Sequence, residues 1–269
     1  MTAKSPPRLA PSLIRNTQYS GTVSTLLYNW PIFAGLLIFG VAGLLSGSLL
    51  AGLWGWLLLL TGAGSLIMAF NILVAAFVAY DYGHRREYDR LADLGQLPQA
   101  NVVIDITAGK LRGTRGLLSR YGAGHYLVLD IYDPEKMADN SLRRARLMDP
   151  PLTTDRRIYK READLTALPI PPNWADVVYC SFSLHEIQKP EDRQQLFNQI
   201  ARILKPRGRL LLAEHGRDWL NFLAFGPGFL SFLSPATWEK HMTQAGLEIK
   251  QYERWRGLTH LWVAERKPR

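Results

Sequence analysis

The sequence predicts an α/β domain built on a mostly parallel sheet, preceded by two transmembrane helices. Three observations predict it. Between Asn16 and Tyr80 there is no Lys, Arg, Asp, Glu or His, so all 55 Lys, Arg, Asp and Glu side chains of the 269-residue chain lie outside that stretch. Beyond residue 81, short β-branched runs alternate with amphipathic helical segments, the pattern of a parallel α/β sheet. The last two apolar runs are joined by a short connection, which gives the sheet an antiparallel end.

The uncharged stretch holds apolar runs at 30–46 and 49–80. A spanning helix needs roughly 20 apolar residues at about 1.5 Å each. The first run reaches that length from Leu26, and the second exceeds it and must tilt or project. Ser46-Gly47-Ser48 is the expected turn of this hairpin. Pro31 suits a first helical turn, and Tyr28, Trp30, Trp54 and Trp56 suit membrane interfaces. A signal peptide is too short for such a stretch, and a soluble core helix rarely lacks charge on every face. Lys4, Arg8 and Arg15 precede the hairpin, and Arg85, Arg86 and Arg90 follow it. That bias places both termini in the cytoplasm. The expected organisation is an N-terminal segment 1–25, a transmembrane hairpin 26–80, a linker helix 81–98 and a soluble domain 99–269.

In the linker, Tyr88, Leu91 and Leu94 recur at helical spacing over 84–96. Strands are expected at 101–106, 126–129 (ending at Asp130), 157–159, 176–181, 209–213, 247–252 and 258–265. Helices are expected at 112–120, 134–146, 192–204 and 237–245. Composition excludes collagen-like and disordered classes, with 47% hydrophobic and 20% charged residues. The single cysteine, Cys180, excludes an intramolecular disulfide and reads as a small buried strand residue in a reducing compartment. No cysteine cluster suggests structural zinc, and no metal site is expected.

Ligands of open α/β sheets bind at the carboxyl ends of the strands, near the switch point. Those positions carry Asp105-Ile106-Thr107-Ala108-Gly109, then Asp130, then Asp164-Leu165, then Ser181 through Glu186, then Glu214-His215. An acid about twenty residues beyond a glycine turn reaches ribose hydroxyls, and Asp130 lies 21 residues after Gly109. The dinucleotide fingerprint G-x-G-x-x-G is absent; only Gly109 and Gly113 are present.

The runs VVIDITAGKLRG, VLDIYDPEKM, READLTALPIPPNWADVVYCSFSLHEI and LFNQIARILKPRGRLLLAEH together resemble a class I S-adenosylmethionine (SAM)-dependent methyltransferase over residues 99–266. The resemblance implies a mostly parallel, seven-stranded Rossmann-like methyltransferase sheet with SAM as cofactor. By position it assigns Asp105, Thr107 and Gly109 to the loop holding the methionine part. Asp130 becomes the ribose acid, Asp164 and Leu165 the adenine contacts, and Ser181 the wall of the transfer site. Thr107 and Leu111 stand where the family has glycines, and Arg207 replaces the first glycine of its K-P-G-G turn. Gly113 would compensate in a loop one register longer.

His185 is a candidate catalytic base or a packing residue, and Glu214-His215 form a second such pair. The segment 219–235, WLNFLAFGPGFLSFLSP, reads either as a cover over the substrate pocket dipping into a membrane interface or as helices packed on the core. Arg143, Arg144, Arg146, Arg156, Arg157, Lys160 and Arg161 read as a surface for anionic headgroups or a solvated face. Nucleic acid is not an expected partner. The expected protein is a membrane-anchored SAM-dependent methyltransferase acting on a hydrophobic or membrane-borne acceptor such as a phospholipid amine or isoprenoid quinone, with membrane lipids as partners. The alternatives are a tethered small-molecule methyltransferase and a catalytically silent membrane scaffold.

Overall fold

The computed structural model describes residues 19–109, 111–118, 121, 124–148 and 158–267, without the side chains of Arg112 and Arg115. Three helices come first: α1 (Ser20–Tyr28), α2 (Trp30–Leu49) and α3 (Gly52–Ala76), the last prolonged by a π turn over Phe77–Asp81. α2 and the stretch Gly52–Asp81 are each long and apolar enough to cross a membrane, with mean hydropathy 2.1. Nothing in the local sequence pattern predicts α1 as a separate helix. Asp81 builds it from across the hairpin: its carboxylate accepts from Gly21 N (2.9 Å), Thr22 N (2.6 Å) and Thr22 Oγ1 (2.7 Å), satisfying amides of the first helical turn.

The hairpin turn is not at Ser46–Ser48, as the sequence suggested. Helix α2 runs through those residues and the chain reverses at Leu50-Ala51. Gly47 is needed for close approach rather than for a turn. A Cβ there would sit 2.8 Å from the Gly55 carbonyl oxygen, and one at Gly43 would sit 2.9 Å from the Gly62 Cα. Such small residues let two apolar helices pack backbone against backbone. Ser48 Oγ meanwhile bonds back to the Leu45 carbonyl, so its hydroxyl does not break the helix.

The domain continues through α4 (Glu87–Leu94), β1 (Val102–Thr107), α5 (Arg112–Leu118), β2 (His125–Asp130), α6 (Asn140–Met148), β3 (Ile158–Glu162), β4 (Ala175–Ser181), α7 (Pro190–Ile203), β5 (Leu204–His215), α8 (Trp219–Phe225), α9 (Pro235–Gln244), β6 (Leu247–Trp255) and β7 (Thr259–Arg266). The seven strands order as β3-β2-β1-β4-β5-β7-β6, with β7 antiparallel to both its neighbours. Both faces are covered, so the inner strands bury both side-chain sets, as continuous apolar runs require. Ile104, Ile106, Val178 and Leu212 pack beneath α7 and α9; Val103, Val128 and Leu211 pack beneath α4 and α5. α4 is therefore part of the domain core, with Leu91 fully buried, and more than a linker.

Two other differences have local causes. The helix expected at 134–146 begins only at Asn140, because Asp133 Oδ1 closes a turn on Glu135 N and Asp139 Oδ1 accepts from Ser141 N (2.5 Å). Arg207 takes the left-handed backbone (φ 63°) that its glycine counterpart would adopt without strain. The predicted helix 112–120 is described to Leu118, and the third strand from Ile158; residues 119–120 and 157 lie outside the described residues.

Candidate active site

Strand register brings the sequence-selected residues to one edge. Thr107 pairs with Asp130, Asp130 with Glu162, and Ile106 with Cys180, so the ends of β1 to β4 finish level. β2 and β4 flank β1 on opposite sides, which makes the carboxyl end of β1 the switch point.

On the β2 side a cavity of about 470 Å³ is lined by Asp130, Tyr132, Asp133, Arg146, Glu162, Asp164 and Leu165 among others. Asp130 is 3% exposed. Its Oδ1 accepts from Arg146 Nη1 at 2.7 Å, and its Oδ2 lies 3.0 Å from Lys160 Nζ. Burial pushes the Asp130 carboxyl up, but the hydrogen bond and field of Arg146, together with Lys160, outweigh it and hold it below the usual carboxylate range. Asp130 Oδ2, paired with Lys160, keeps lone-pair capacity with which a buried carboxylate can accept from a hydroxyl donor. Asp164 is the exposed counterpart. Thr166 N and Oγ1 both donate to its Oδ1 at 2.8 Å and lower its pKa. Leu165 is buried beside it as an apolar floor. These residues fit the adenosine part of SAM: an acid for the ribose, an apolar surface and an outer acid for the base.

The β1 loop is more crowded. Gly109 has φ 109°, a backbone few side chains adopt. Thr107 Oγ1 accepts from Gly109 N at 3.0 Å and tightens the loop. Arg146 Nη1 also donates to the Ala108 carbonyl (2.7 Å), and its guanidinium stacks 4.1 Å over the Tyr132 ring. That side chain lies against Gly109, where a Cβ would collide with it. The Arg146 side chain therefore occupies the strip beside the β1 loop. Gly113 takes no part in the loop; it lies in α5, where a Cβ would meet Tyr179 Oη at 2.5 Å. Arg146 and Lys160 turn toward Asp130, and Arg144 Nε donates to the Tyr28 carbonyl, so three of the seven residues of the predicted basic cluster are engaged internally. Arg156 and Arg157 lie outside the described residues.

The Asp105 carboxylate points inward. It is 2% exposed, and Oδ2 accepts from Thr114 Oγ1 (2.5 Å) and Tyr126 OH (2.9 Å). It fixes β1 to α5 and β2. Desolvation raises its pKa to about 6 despite those hydrogen bonds. A raised folded pKa means the folded state holds the proton longer than the unfolded chain. Stability from this group is thus greatest below about pH 4 and falls as pH rises to about 6, by about 3 kcal/mol. Asp105→Asn removes that slope. Its melting midpoint relative to wild type should rise by about 5–10 °C between pH 4 and pH 8, and a constant offset across that range refutes the assignment.

The other side of β1 opens on a second, larger chamber of about 760 Å³. Ser181, Phe182, His185, His215 and Phe232 line it from the domain; Ser24 and Tyr28 of α1, Phe33 of α2, Met68 of α3 and Tyr80 line it from the apolar helices. Glu214 and His215 do not form the pair that their adjacency suggested. Successive strand residues face opposite ways. Glu214, fully buried, accepts from Ser183 N (3.1 Å) and Leu184 N (2.8 Å) through Oε1 and from His185 Nδ1 (2.6 Å) through Oε2. His215 instead meets Tyr80 OH through Nε2 at 2.5 Å and the Leu258 carbonyl through Nδ1 at 3.0 Å. Phe182 is held at φ 48°, a left-handed bend that starts the turn carrying His185. The segment 219–235 covers the chamber and also packs on the apolar helices: Phe225 and Phe232 contact the His215 ring, and Asn71 Nδ2 donates to the Leu223 carbonyl. Sequence reasoning missed Tyr80 as a site residue, since nothing local distinguishes it from the end of an apolar run.

An open sheet of this order, with an acid at the end of β2 and a tight glycine turn after β1, defines the class I SAM-dependent methyltransferase fold. Residues 104–212 match the methyltransferase domain family. The chain is 29% identical over 174 residues to the 27-O-demethylrifamycin SV methyltransferase of Amycolatopsis mediterranei (strain S699), covering 61% of this chain and 60% of that protein. It is 32% identical over 133 residues to the ubiquinone/menaquinone biosynthesis C-methyltransferase UbiE of Ectopseudomonas mendocina (strain ymp), covering 49% and 48%. A crystal structure of a SAM-dependent methyltransferase from Aquifex aeolicus superposes with a TM-score of 0.53 at 14% identity, covering 71% of this chain and 93% of that one. The chain spans about half to three-fifths of the length of these curated relatives. The α/β domain is thus a SAM-dependent methyltransferase domain, and SAM is its cofactor.

Proposed function

We propose that the protein is a membrane-anchored methyltransferase that methylates a hydrophobic, membrane-borne acceptor, with α2 and α3 spanning the bilayer and the domain on the cytoplasmic side. The observation that carries this reading is the large chamber, whose walls come jointly from the apolar helices and from the ends of β4 and β5. A tether alone would not line a cavity with the domain it holds. Exposure of the helices supports the membrane: only 17% and 11% of their apolar windows are buried, and Phe39 and Trp54 are more than 70% exposed. A soluble protein would leave an unmanageable apolar patch there. Basic residues flank the helices on both sides. The similarity to a 27-O-demethylrifamycin SV methyltransferase and to a ubiquinone/menaquinone biosynthesis C-methyltransferase favours a large hydrophobic acceptor, with an isoprenoid quinone ring as its first candidate.

Bound SAM supplies an electrophilic methyl group on a sulfonium. Asp130, Asp164 and Leu165 hold its adenosine part, the Thr107–Gly109 loop its methionine part, and Ser181 faces the transfer site. His185 is the base: Nδ1–H donates to the Glu214 carboxylate, so Nε2, which lies 3.5 Å from Glu186 Oε1, is the nitrogen that takes the acceptor's proton. Apolar walls exclude water, and positioning in the chamber supplies much of the rate.

Incubation of the purified protein with a bacterial membrane-lipid extract and methyl-labelled SAM tests the reading. Label should appear in the organic phase, and a chain lacking residues 19–76 should bind SAM yet label no lipid. Label confined to water-soluble products would favour the tethered small-molecule enzyme, and no label with intact SAM binding the silent scaffold.

A further inference from the structure

Resting on the reading of α2 and α3 as membrane spans, we infer that the segment 219–231 is a third membrane-embedded element. It lies in the plane of the cytoplasmic leaflet beside α3, with the hydrocarbon chains of that leaflet as its partner. The chamber it borders opens into the same leaflet.

The segment has a buried side and an apolar outer side. Between Asp218 and Glu239 there is no charged residue. Asn221 and Ala224 are buried, whereas Trp219 (67%), Leu223 (46%) and Leu230 (60%) are exposed, with Leu220 and Phe222. Ring contacts of Trp219 with Phe222 (5.4 Å) and of Phe222 with Phe229 (5.1 Å) join α8 to the 3-10 turn Gly226–Ser231 as one apolar surface. A surface of this kind marks an interaction site.

The height of the segment selects lipid as the partner. Asn71, the twentieth residue of α3, donates through Nδ2 to the Leu223 carbonyl, and Met68 packs against Gly226, where a Cβ would lie 3.0 Å from Sδ. At about 1.5 Å per residue Asn71 stands about 29 Å from the start of α3, close to one hydrocarbon thickness of about 30 Å. The segment thus meets α3 where hydrocarbon gives way to headgroups. Ile67 and Val74 share the helical face of Asn71 and are exposed, so the surface continues onto α3. Trp30, which begins α2 about 29 Å from its far end, is exposed at the same level as Trp219, a depth that indoles favour.

The backbone agrees. In hydrocarbon a carbonyl needs a protein donor, because water is absent. The Leu230 and Phe232 carbonyls accept from the Arg217 guanidinium, rooted outside the apolar run, and the Gly228 carbonyl accepts from Ser231 Oγ at 2.8 Å. Asp218, held by Arg254 (2.7 Å) and His260 Nε2 (2.8 Å), accepts from Asn221 N at 3.0 Å. The charges therefore gather at the root of the segment. On the side of the apolar helices the exposed members of the chamber lining are Ile32, Pro227, Gly228 and Ser231. Ile32 and Met68 both stand about 24–26 Å from the hairpin turn, within the hydrocarbon thickness. An acceptor can then keep its chain in the leaflet while its head enters the site.

Site-directed bimane fluorescence on the full chain in nanodiscs tests this. Cys180, the sole cysteine, is buried, so the label goes to an introduced thiol. Labels at Leu223→Cys and Leu230→Cys read the outer surface, and one at Ser231→Cys reads the rim of the chamber. Phe39→Cys on α2 and Tyr159→Cys on β3 are the membrane and water controls. Phospholipids brominated on the acyl chains should quench positions 223, 230 and 231 severalfold more than 159, and aqueous iodide should do the reverse. Quenching of 223 and 230 by iodide, with 39 quenched by bromolipid, overturns the inference and leaves the two-span reading intact. Iodide quenching at 231 alone overturns the opening into the leaflet. Protection of 223 and 230 from both quenchers would place protein on this surface and overturns the lipid partner. Iodide quenching of 39 as well would reject the spans themselves, and the inference with them.

Discussion

Replacing His185 with asparagine lowers kcat for the lipid acceptor by about 10²- to 10⁴-fold, the range expected when a positioned general base is lost. SAM affinity should stay within about twofold, because His185 lines the acceptor chamber and not the adenosine cavity. The sharper variant is Glu214→Gln. The glutamine oxygen can still accept from Ser183 N and Leu184 N, so the turn keeps its anchors. Its amide, however, donates toward His185 Nδ1, where the carboxylate accepted. That reverses the imidazole tautomer and places a proton on Nε2, the nitrogen the base role requires to be bare. The same change that leaves the shape intact should therefore cost nearly as much as removing the ring. A Glu214→Gln enzyme within about threefold of wild type would make His185 a packing residue.

Asp130→Ala weakens SAM binding by about ten- to a hundredfold, measured by calorimetry on detergent-purified protein. Hydrogen bonds to an ionised group contribute about 1.5–3 kcal/mol, and one is lost with the ribose. Oδ1 is held by Arg146 and Oδ2 is paired with Lys160 at 3.0 Å, so the ribose hydroxyl would use the remaining acceptor capacity of Oδ2. The variant also removes the counter-charge of Arg146 and Lys160, so the cavity would become more positive toward a cationic cofactor, which adds to the loss. Asp130→Asn keeps the volume and should fall between wild type and alanine. Unchanged affinity in both variants would move the ribose contact elsewhere and detach the adenosine assignment from this cavity.

Much of this protein is decided by local sequence. An uncharged run of 65 residues fixes two long apolar helices, because no other structure satisfies so much backbone without polar side chains. Alternating β-branched runs and amphipathic stretches fix the seven strands and their main helices, and the strand-end acids Asp130 and Asp164 follow from counting. Even the short β1 loop was legible, since Gly109 is the glycine its backbone needs.

The tertiary structure decided which of those residues meet. His185 and Glu214 are 29 residues apart, and only the register of β4 against β5 brings them together. His215 faces the other way because strand side chains alternate, so the neighbour in sequence is not the partner in space. Tyr80 reaches His215 across 135 residues, through the end of a helix that composition alone marks only as apolar. Arg146 and Lys160 read as surface charge until α6 and β3 fold them onto Asp130. The hairpin turn moved from the serines to Leu50-Ala51 because Gly47 serves the contact between two helices. Periodicity and composition are properties of one segment, and they determine what that segment becomes. Pairing depends on the register and approach of two segments, and that is set by the packing of the whole core.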